Sequence, residues 1–194
     1  MKFTIYRASE QDMINGCLRG DRASQKRLYD NYSPKMYALC NRYLKDPMQA
    51  QDALVTAFTR IFEKINQYSG QGSLEGWIKI IVIREALTNI RKNQHFRYEA
   101  ELETIENLPG SQAESDPFEL EYLLHLIQEL PPGYRTIFNL YAIEGFSHKE
   151  IAEQLNISEN TSKSQLSRAR VYLQQLLMKH DNVQTTKRND ISTR

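Results

Sequence analysis

The stretch SHKEIAEQLNISENTSKSQLSRAR, residues 147–170, carries its own punctuation. Ser147 followed three residues later by Glu150 is a capping box, so a helix begins at His148, and Ile151, Ala152 and Leu155 give it one apolar face. Asn156 can take the left-handed conformation that ends a helix, Ile157 is apolar enough to anchor the turn, and Ser158 can cap the next helix. Two short helices joined by a turn of about three or four residues fit a helix-turn-helix, whose second helix enters the major groove of DNA. An ordinary αα-hairpin can carry the same caps. The second helix separates the two readings. Ser162, Leu166, Ala169, Leu173 and Leu176 mark its inward stripe, weak at its start and strong at its end, while Lys163, Ser164, Ser167, Arg168 and Arg170 lie beside or opposite it. Small hydroxyls and cations suit base edges and phosphates. A solvated face would mix in glutamates, and only Glu159 is present.

Nearly every earlier segment also reads as helix. Ser9 with Asp12 makes a capping box for a first helix through about Leu18, and Asp21 or Arg22 opens a second carrying Leu28, Tyr29 and Tyr32. Pro34 starts or bends a continuation through Met36, Leu39, Cys40 and Tyr43. Asp46-Pro47 is a start signal, Asp as cap and Pro at the first helical position, followed by Ala50, Ala53, Leu54, Ala57, Phe58, Ile61, Phe62 and Ile65 at three and four. The two glycines of NQYSGQGS, residues 66–73, make a loop. A long helix then runs from Leu74 to about Asn93, apolar on most sides at first and basic at its end.

Residues 98–115 hold too little apolar content to pack and read as a flexible acidic linker. Asp116-Pro117 with Glu119 starts a helix whose Leu120, Leu123, Leu124, Ile127 and Leu130 face a core before Pro131-Pro132 stops it. Tyr134, Ile137, Phe138 and Tyr141 mark the next helix, which ends at Gly145. The polar tail, residues 180–194, is expected to be disordered. The fold class is therefore all-α: a first helical domain over 1–97, the linker over 98–115, and a second domain over 116–179 that contains the helix-turn-helix.

Composition narrows the function. Of 194 residues, 40% are hydrophobic and 25% charged, which suits one medium or two small globular domains. No apolar run approaches the roughly 18–20 residues that a membrane span needs, and MKFTIYRASEQDM has no signal core, so neither membrane insertion nor export is expected and the protein should be cytoplasmic. Cys17 and Cys40 are too few and too far apart for a disulfide framework or a metal site, and the four histidines are scattered. With no nucleophile elbow and no phosphate-binding glycine loop, the expectation is no catalytic residue, no cofactor, no metal and no small-molecule substrate: not an enzyme. The net charge of +1 averages over segregated ends. Residues 98–134 hold nine acidic residues and no Lys or Arg, whereas residues 158–194 hold seven basic residues against three acidic ones.

Three motif blocks now carry a resemblance. They are LYDNYSPKMYALCNRYLKDPMQAQDA (28–53), YSGQGSLEGWI with ALTNIRK (68–92), and LPPGYRTIFNLYAIEGFSHKEIAEQLNISENTSKSQLSRAR (130–170). Over residues 9–178 the chain resembles an extracytoplasmic-function (ECF) sigma factor, the short form of the bacterial sigma-70 family that keeps regions 2 and 4. The resemblance implies a protein that binds core RNA polymerase at its clamp helices and flap, directs it to promoter DNA through the minus-35 and minus-10 elements, helps open the duplex for transcription initiation, and has an anti-sigma factor as partner. It implies polymerase docking by Asp52, Val55, Thr56 and Phe58, although the family often has Gln-Glu where this chain has Val55-Thr56, and Phe58 also fits simple core packing. Minus-10 capture and melting fall to Tyr68, Ser69, Gln71, Trp77, Lys79, Arg84, Asn89, Arg91 and Lys92, which would give an unstacked base its platform and the single strand a cationic bed. Trp77 has a second reading, since a lone Trp amid isoleucines is more often a core residue. Minus-35 reading falls to Thr161, Lys163, Ser164, Gln165, Ser167, Arg168 and Arg170, with Ser162 standing where the family usually has Val. Two rivals lie in other classes: an operator-binding regulator, for which the sequence offers no α/β phosphoacceptor pattern, and a helical adaptor with no DNA role.

Overall fold

Two aspartates set the frame of the first half of the chain. The Asp21 carboxylate accepts from the Ser24 backbone N–H at 2.9 Å and from its hydroxyl at 2.6 Å, and so fixes the start of a helix. Asp46 accepts from the Met48 N–H at 2.9 Å with Pro47 at the first helical position. A computed structural model describes residues 2–93 and 120–191, with side chains for residues 10–92 and 122–179. The chain divides into two compact units, Met1–His95 and Phe96–Arg194.

The first unit holds α1 (Lys2–Leu18), α2 (Arg22–Tyr43), α3 (Pro47–Lys64) and α4 (Leu74–Asn93). Helix α1 packs on α2, α2 on α3 and α4, and α3 on α4. The period-3.6 pattern of α3 turns Ala50, Ala53, Leu54, Ala57, Phe58 and Ile61 inward, and Leu28 and Tyr43 of α2 and Ile78 and Val82 of α4 are buried as well. Burial pushes the Cys40 thiol up to about 12, so it stays protonated and packs as an apolar group. Glu85, buried on α4, is ion-paired to Arg60 of α3. Two expectations change here. Helix α1 begins at Lys2 rather than at Ser9, because nothing in residues 2–15 breaks a helix. Helix α2 runs through Pro34, whose exposed position leaves water to satisfy the carbonyl its ring releases.

The second unit holds α5 (Leu120–Glu129), α6 (Pro132–Phe138), a π turn over Asn139–Ile143, α7 (His148–Leu155) and α8 (Glu159–Ile191). Helices α5, α6 and α7 all pack on α8. Tyr122, Leu126 and Leu176 form a core cluster flanked by Tyr172, Leu173 and Leu177. Arg135 of α6 is buried and donates to the Gln128 carbonyl at 2.9 Å, tying α6 back to the end of α5. Desolvation lowers its guanidinium to about 10, against the opposing pull of Glu129.

Three corrections belong to this unit. Leu123, expected to face the core, is 43% exposed, whereas Tyr122, Leu126 and Ile127 of α5 and Leu130 just after it are buried. The helix after Pro131 ends at Phe138 and widens into the π turn. The tail expected to be disordered continues α8 to Ile191, since no Gly or Pro follows Gly145. The linker at 98–115 and the start signal at Asp116-Pro117 lie outside the described residues.

Candidate nucleic-acid interface

In the second unit the helix-turn-helix forms with the punctuation its sequence carries. Ser147 Oγ accepts from the Glu150 N–H at 3.3 Å and the Glu150 carboxylate accepts from the Ser147 N–H at 2.8 Å, a closed capping box. Asn156 takes the left-handed conformation (φ 56°, ψ 49°), and the Ile157 N–H donates to the Ala152 carbonyl at 3.1 Å to end α7. Ser158 Oγ accepts from the Thr161 N–H at 3.0 Å and starts α8.

On α8 the structure brings Lys163, Ser164, Ser167, Arg168 and Arg170 to the exposed side, with Thr161 half-buried at its edge. Gln165, proposed from sequence as a base reader, is buried with 7% exposure and turns inward beside Leu166 and Ala169. Lys163 sits 3.7 Å from Glu159, a surface pair that phosphate can displace at little cost. The inward stripe opens with Ser162, fully buried, whose hydroxyl lies 2.9 Å from Nδ1 of His148. His148 stacks on Tyr141 of the π turn, with centroids 4.4 Å apart and planes at 21°. Arg170 places its guanidinium 6.0 Å from the centroid of the same Tyr141 ring. Sequence alone placed His148 as a helix start and Tyr141 on a helix face, and gave neither a part in this site. Burial holds the His148 imidazole below its ordinary pKa, with Lys163 and Arg170 adding to the shift and Glu159 opposing it.

In the first unit Gly70 and Gly72 adopt φ values of +76° and +81°, which let the loop before α4 turn back so that the Tyr68 hydroxyl donates to the Gly72 carbonyl at 3.0 Å. Tyr68 and Trp77 lie 5.7 Å apart between centroids, both half-exposed, while Ser69 and Gln71 are exposed on the loop. At 100° per residue, Trp77, Ile80, Arg84, Thr88 and Arg91 form one strip along α4, with Lys92 at its margin. Lys79 and Asn89 fall on the far side of the helix, half-buried, so the structure does not bring these two to the strip. Ile80, 43% exposed in the middle of it, escapes sequence reasoning because an isoleucine in an apolar run reads as core.

The third candidate surface splits. Asp52, Val55 and Thr56 are exposed on α3, but Phe58 is 2% exposed, 4.7 Å from the Tyr29 ring and 6.1 Å from Phe62. It packs in the core of the first unit, so the structure does not bring it to the exposed face with Asp52, Val55 and Thr56. Met48, two turns before Val55 on the same stripe, is the exposed apolar residue that sequence reasoning passed over.

These two units define the protein's class. Residues 28–96 match the family model for sigma-70 region 2, and residues 120–173 match that for sigma-70 region 4. The chain is 31% identical over 172 residues to the ECF RNA polymerase sigma factor SigW of Bacillus subtilis, covering 82% of this chain and 91% of that one. It is 28% identical over 173 residues to ECF RNA polymerase sigma factor SigE of Mycolicibacterium smegmatis, covering 84% of this chain and 66% of the length of that relative. The fold is similar to that of the sigma factor RpoE, solved in complex with the anti-sigma factor NepR from Bartonella quintana, with a TM-score of 0.51 and 22% identity over 79% of this chain and 96% of that one. The chain belongs to the ECF sigma factors of the sigma-70 family. Its function is promoter-specific transcription initiation, carried out through RNA polymerase. Among the described residues no helix is long and apolar enough to cross a membrane.

Proposed function

We propose that each surface described above carries one step of initiation. The exposed side of α8, with Lys163, Ser164, Ser167, Arg168 and Arg170 in front and Thr161 at its edge, reads the minus-35 duplex. The strip of Trp77, Arg84, Arg91 and Lys92, with Tyr68, Ser69 and Gln71 on the adjoining loop, captures the minus-10 strand once it unstacks. Asp52, Val55 and Thr56 dock on the polymerase clamp helices. The observation that carries the reading is the sorting on α8, where hydroxyls and cations face out while Ser162, Gln165, Leu166 and Ala169 are buried.

Each module alone binds weakly; attachment to one polymerase makes the second contact intramolecular. The acidic segment at 98–115 tethers the region 2 domain (1–97) to the region 4 domain (116–179) and keeps the basic surfaces off nonspecific DNA. The protein works by binding, with no chemistry of its own, in the cytoplasm where polymerase and promoters lie, and an anti-sigma factor covers its surfaces when it is idle.

The test is in vitro transcription with purified core polymerase. The chain should form a complex with core and give promoter-specific starts. Lys163→Ala with Arg168→Ala should lower promoter affinity and reduce the slope of log affinity against log salt by about 2. No complex with core, or an unchanged slope, sinks the assignment.

A further inference from the structure

The side chains that hold α8 in place form a chain with both ends on that helix. Ser162, in the first turn of α8, meets His148 Nδ1 at 2.9 Å. His148, the first residue of α7, stacks on Tyr141 at 4.4 Å. Tyr141, in the π turn, faces the guanidinium of Arg170 at 6.0 Å. Residues 162 and 170 stand about 12 Å apart along the helix and about 80° apart around it. A helix gripped at two heights and two azimuths cannot roll about its axis without breaking one grip. We infer that Ser162, His148, Tyr141 and Arg170 form a bracket that fixes the roll of α8, and that His148 is thereby a positioning residue for promoter reading. The inference rests on α8 being the duplex reader.

The chemistry at Ser162 is what distinguishes a bracket from packing. An aliphatic side chain at this fully buried position would fill the same space without caring about direction. A hydroxyl bonded to a ring nitrogen has a preferred distance and angle. The ring is oriented in turn by the stack on Tyr141, which the π turn presents. At the outer radius of a helix, about 5–6 Å, a roll of about 15° moves a side-chain tip by about 1.5 Å, enough to break a hydrogen bond to a base edge. Lys163 and Ser164 directly follow Ser162, and Ser167 and Arg168 lie between the two grips. The readers are therefore the residues whose aim the bracket sets. Leu166 and Ala169, buried between the two grips, and the cluster around Leu126 and Leu176 further along α8 supply apolar contact, which has no preferred donor angle.

The experiment uses the full chain bound to core polymerase and a pool of duplexes with a randomised minus-35 segment, comparing wild type with Ser162→Val, Ser162→Thr and His148→Phe. The valine variant fills the buried site and the phenylalanine keeps the stack, so both should bind core as wild type does and keep its unfolding midpoint within a few degrees. Discrimination between the best sites and those with one mismatch should nevertheless fall about tenfold, the weight of one lost hydrogen bond. Ser162→Thr should restore it, and the Ser162→Val/His148→Phe double variant should do no worse than the poorer single one. Wild-type discrimination in both single variants overturns the bracket. If Ser162→Val fails to fold, His148→Phe decides by itself. Enrichment of no upstream sequence by wild type is a separate result: it removes the duplex-reading role of α8, and the bracket with it.

Discussion

The strip on α4 and the face of α8 solve opposite problems with different side chains. On α4 the exposed residues are an indole, an isoleucine and cations, beside a loop whose turn depends on two glycines. On α8 they are small hydroxyls and cations on a helix tied down by caps and by the His148 contacts. A separated strand brings base faces and a pliable backbone, so stacking area and charge suffice to hold it. A closed duplex brings only base edges in fixed directions, so the donors that meet it must themselves be fixed.

The largest expected effect separates the two units altogether. Phe58 is enclosed by Tyr29, Phe62 and the rest of the α3 core, and Phe58→Ala should destabilise the first unit by about 3–5 kcal/mol. Calorimetry of the full chain should show the first unit's transition moved down and the second unit's in place. A loss of polymerase binding with both transitions unmoved would instead return Phe58 to the docking surface. A smaller effect sharpens the contrast itself. Trp77 is the chain's single tryptophan, so binding of a single-stranded oligonucleotide should quench the protein's own indole fluorescence. Trp77→Ala, followed through a dye on the oligonucleotide because the variant lacks the indole, should weaken that binding by about 1–3 kcal/mol and leave binding of a closed minus-35 duplex untouched. Equal losses on both would show that the two surfaces are not specialised.

What was legible in the sequence was whatever is encoded locally. Asp21, Asp46, the Ser147–Glu150 box, Asn156 and Ser158 each act within three or four residues, and each sits where its neighbours say it should. The helix-turn-helix could be read on the same grounds, while the family was read from the resemblance of three longer motif blocks. What stayed hidden depends on partners far along the chain. Phe58 and Ile80 are both apolar residues in helical runs, and only the packing of α2, α3 and α4 buries one and exposes the other. Gln165 looked like a reader because glutamine pairs with adenine, but the phase of α8 turns it inward. Ser162 looked like a packing defect until its partner, fourteen residues upstream, supplied the reason for a hydroxyl.

The smallest effect separates the units by acid. His148 titrates below the ordinary 6.5 in the folded protein, first because burial disfavours its charged form and then because Lys163 and Arg170 are near, with Glu159 opposing. Its unfolded form therefore binds more protons than its folded form in the window from 6.5 down to the folded value, and there stability rises with pH. Read downward, the second unit should lose stability as pH falls through 6.5 toward the lower folded value. Asp21 in the first unit and Glu150 in the second have carboxyls held low, chiefly by hydrogen bonds from the side chains of Ser24 and Ser147. Their contributions are present above the ordinary carboxylate range and are lost only at stronger acidity, so they do not enter this window. Denaturant unfolding of the full chain at a series of pH values should then show the second unit's transition weakening while the first holds. His148→Phe should flatten that dependence, because it removes the titrating ring and keeps the stack on Tyr141. A slope that survives His148→Phe would mean that another group carries it.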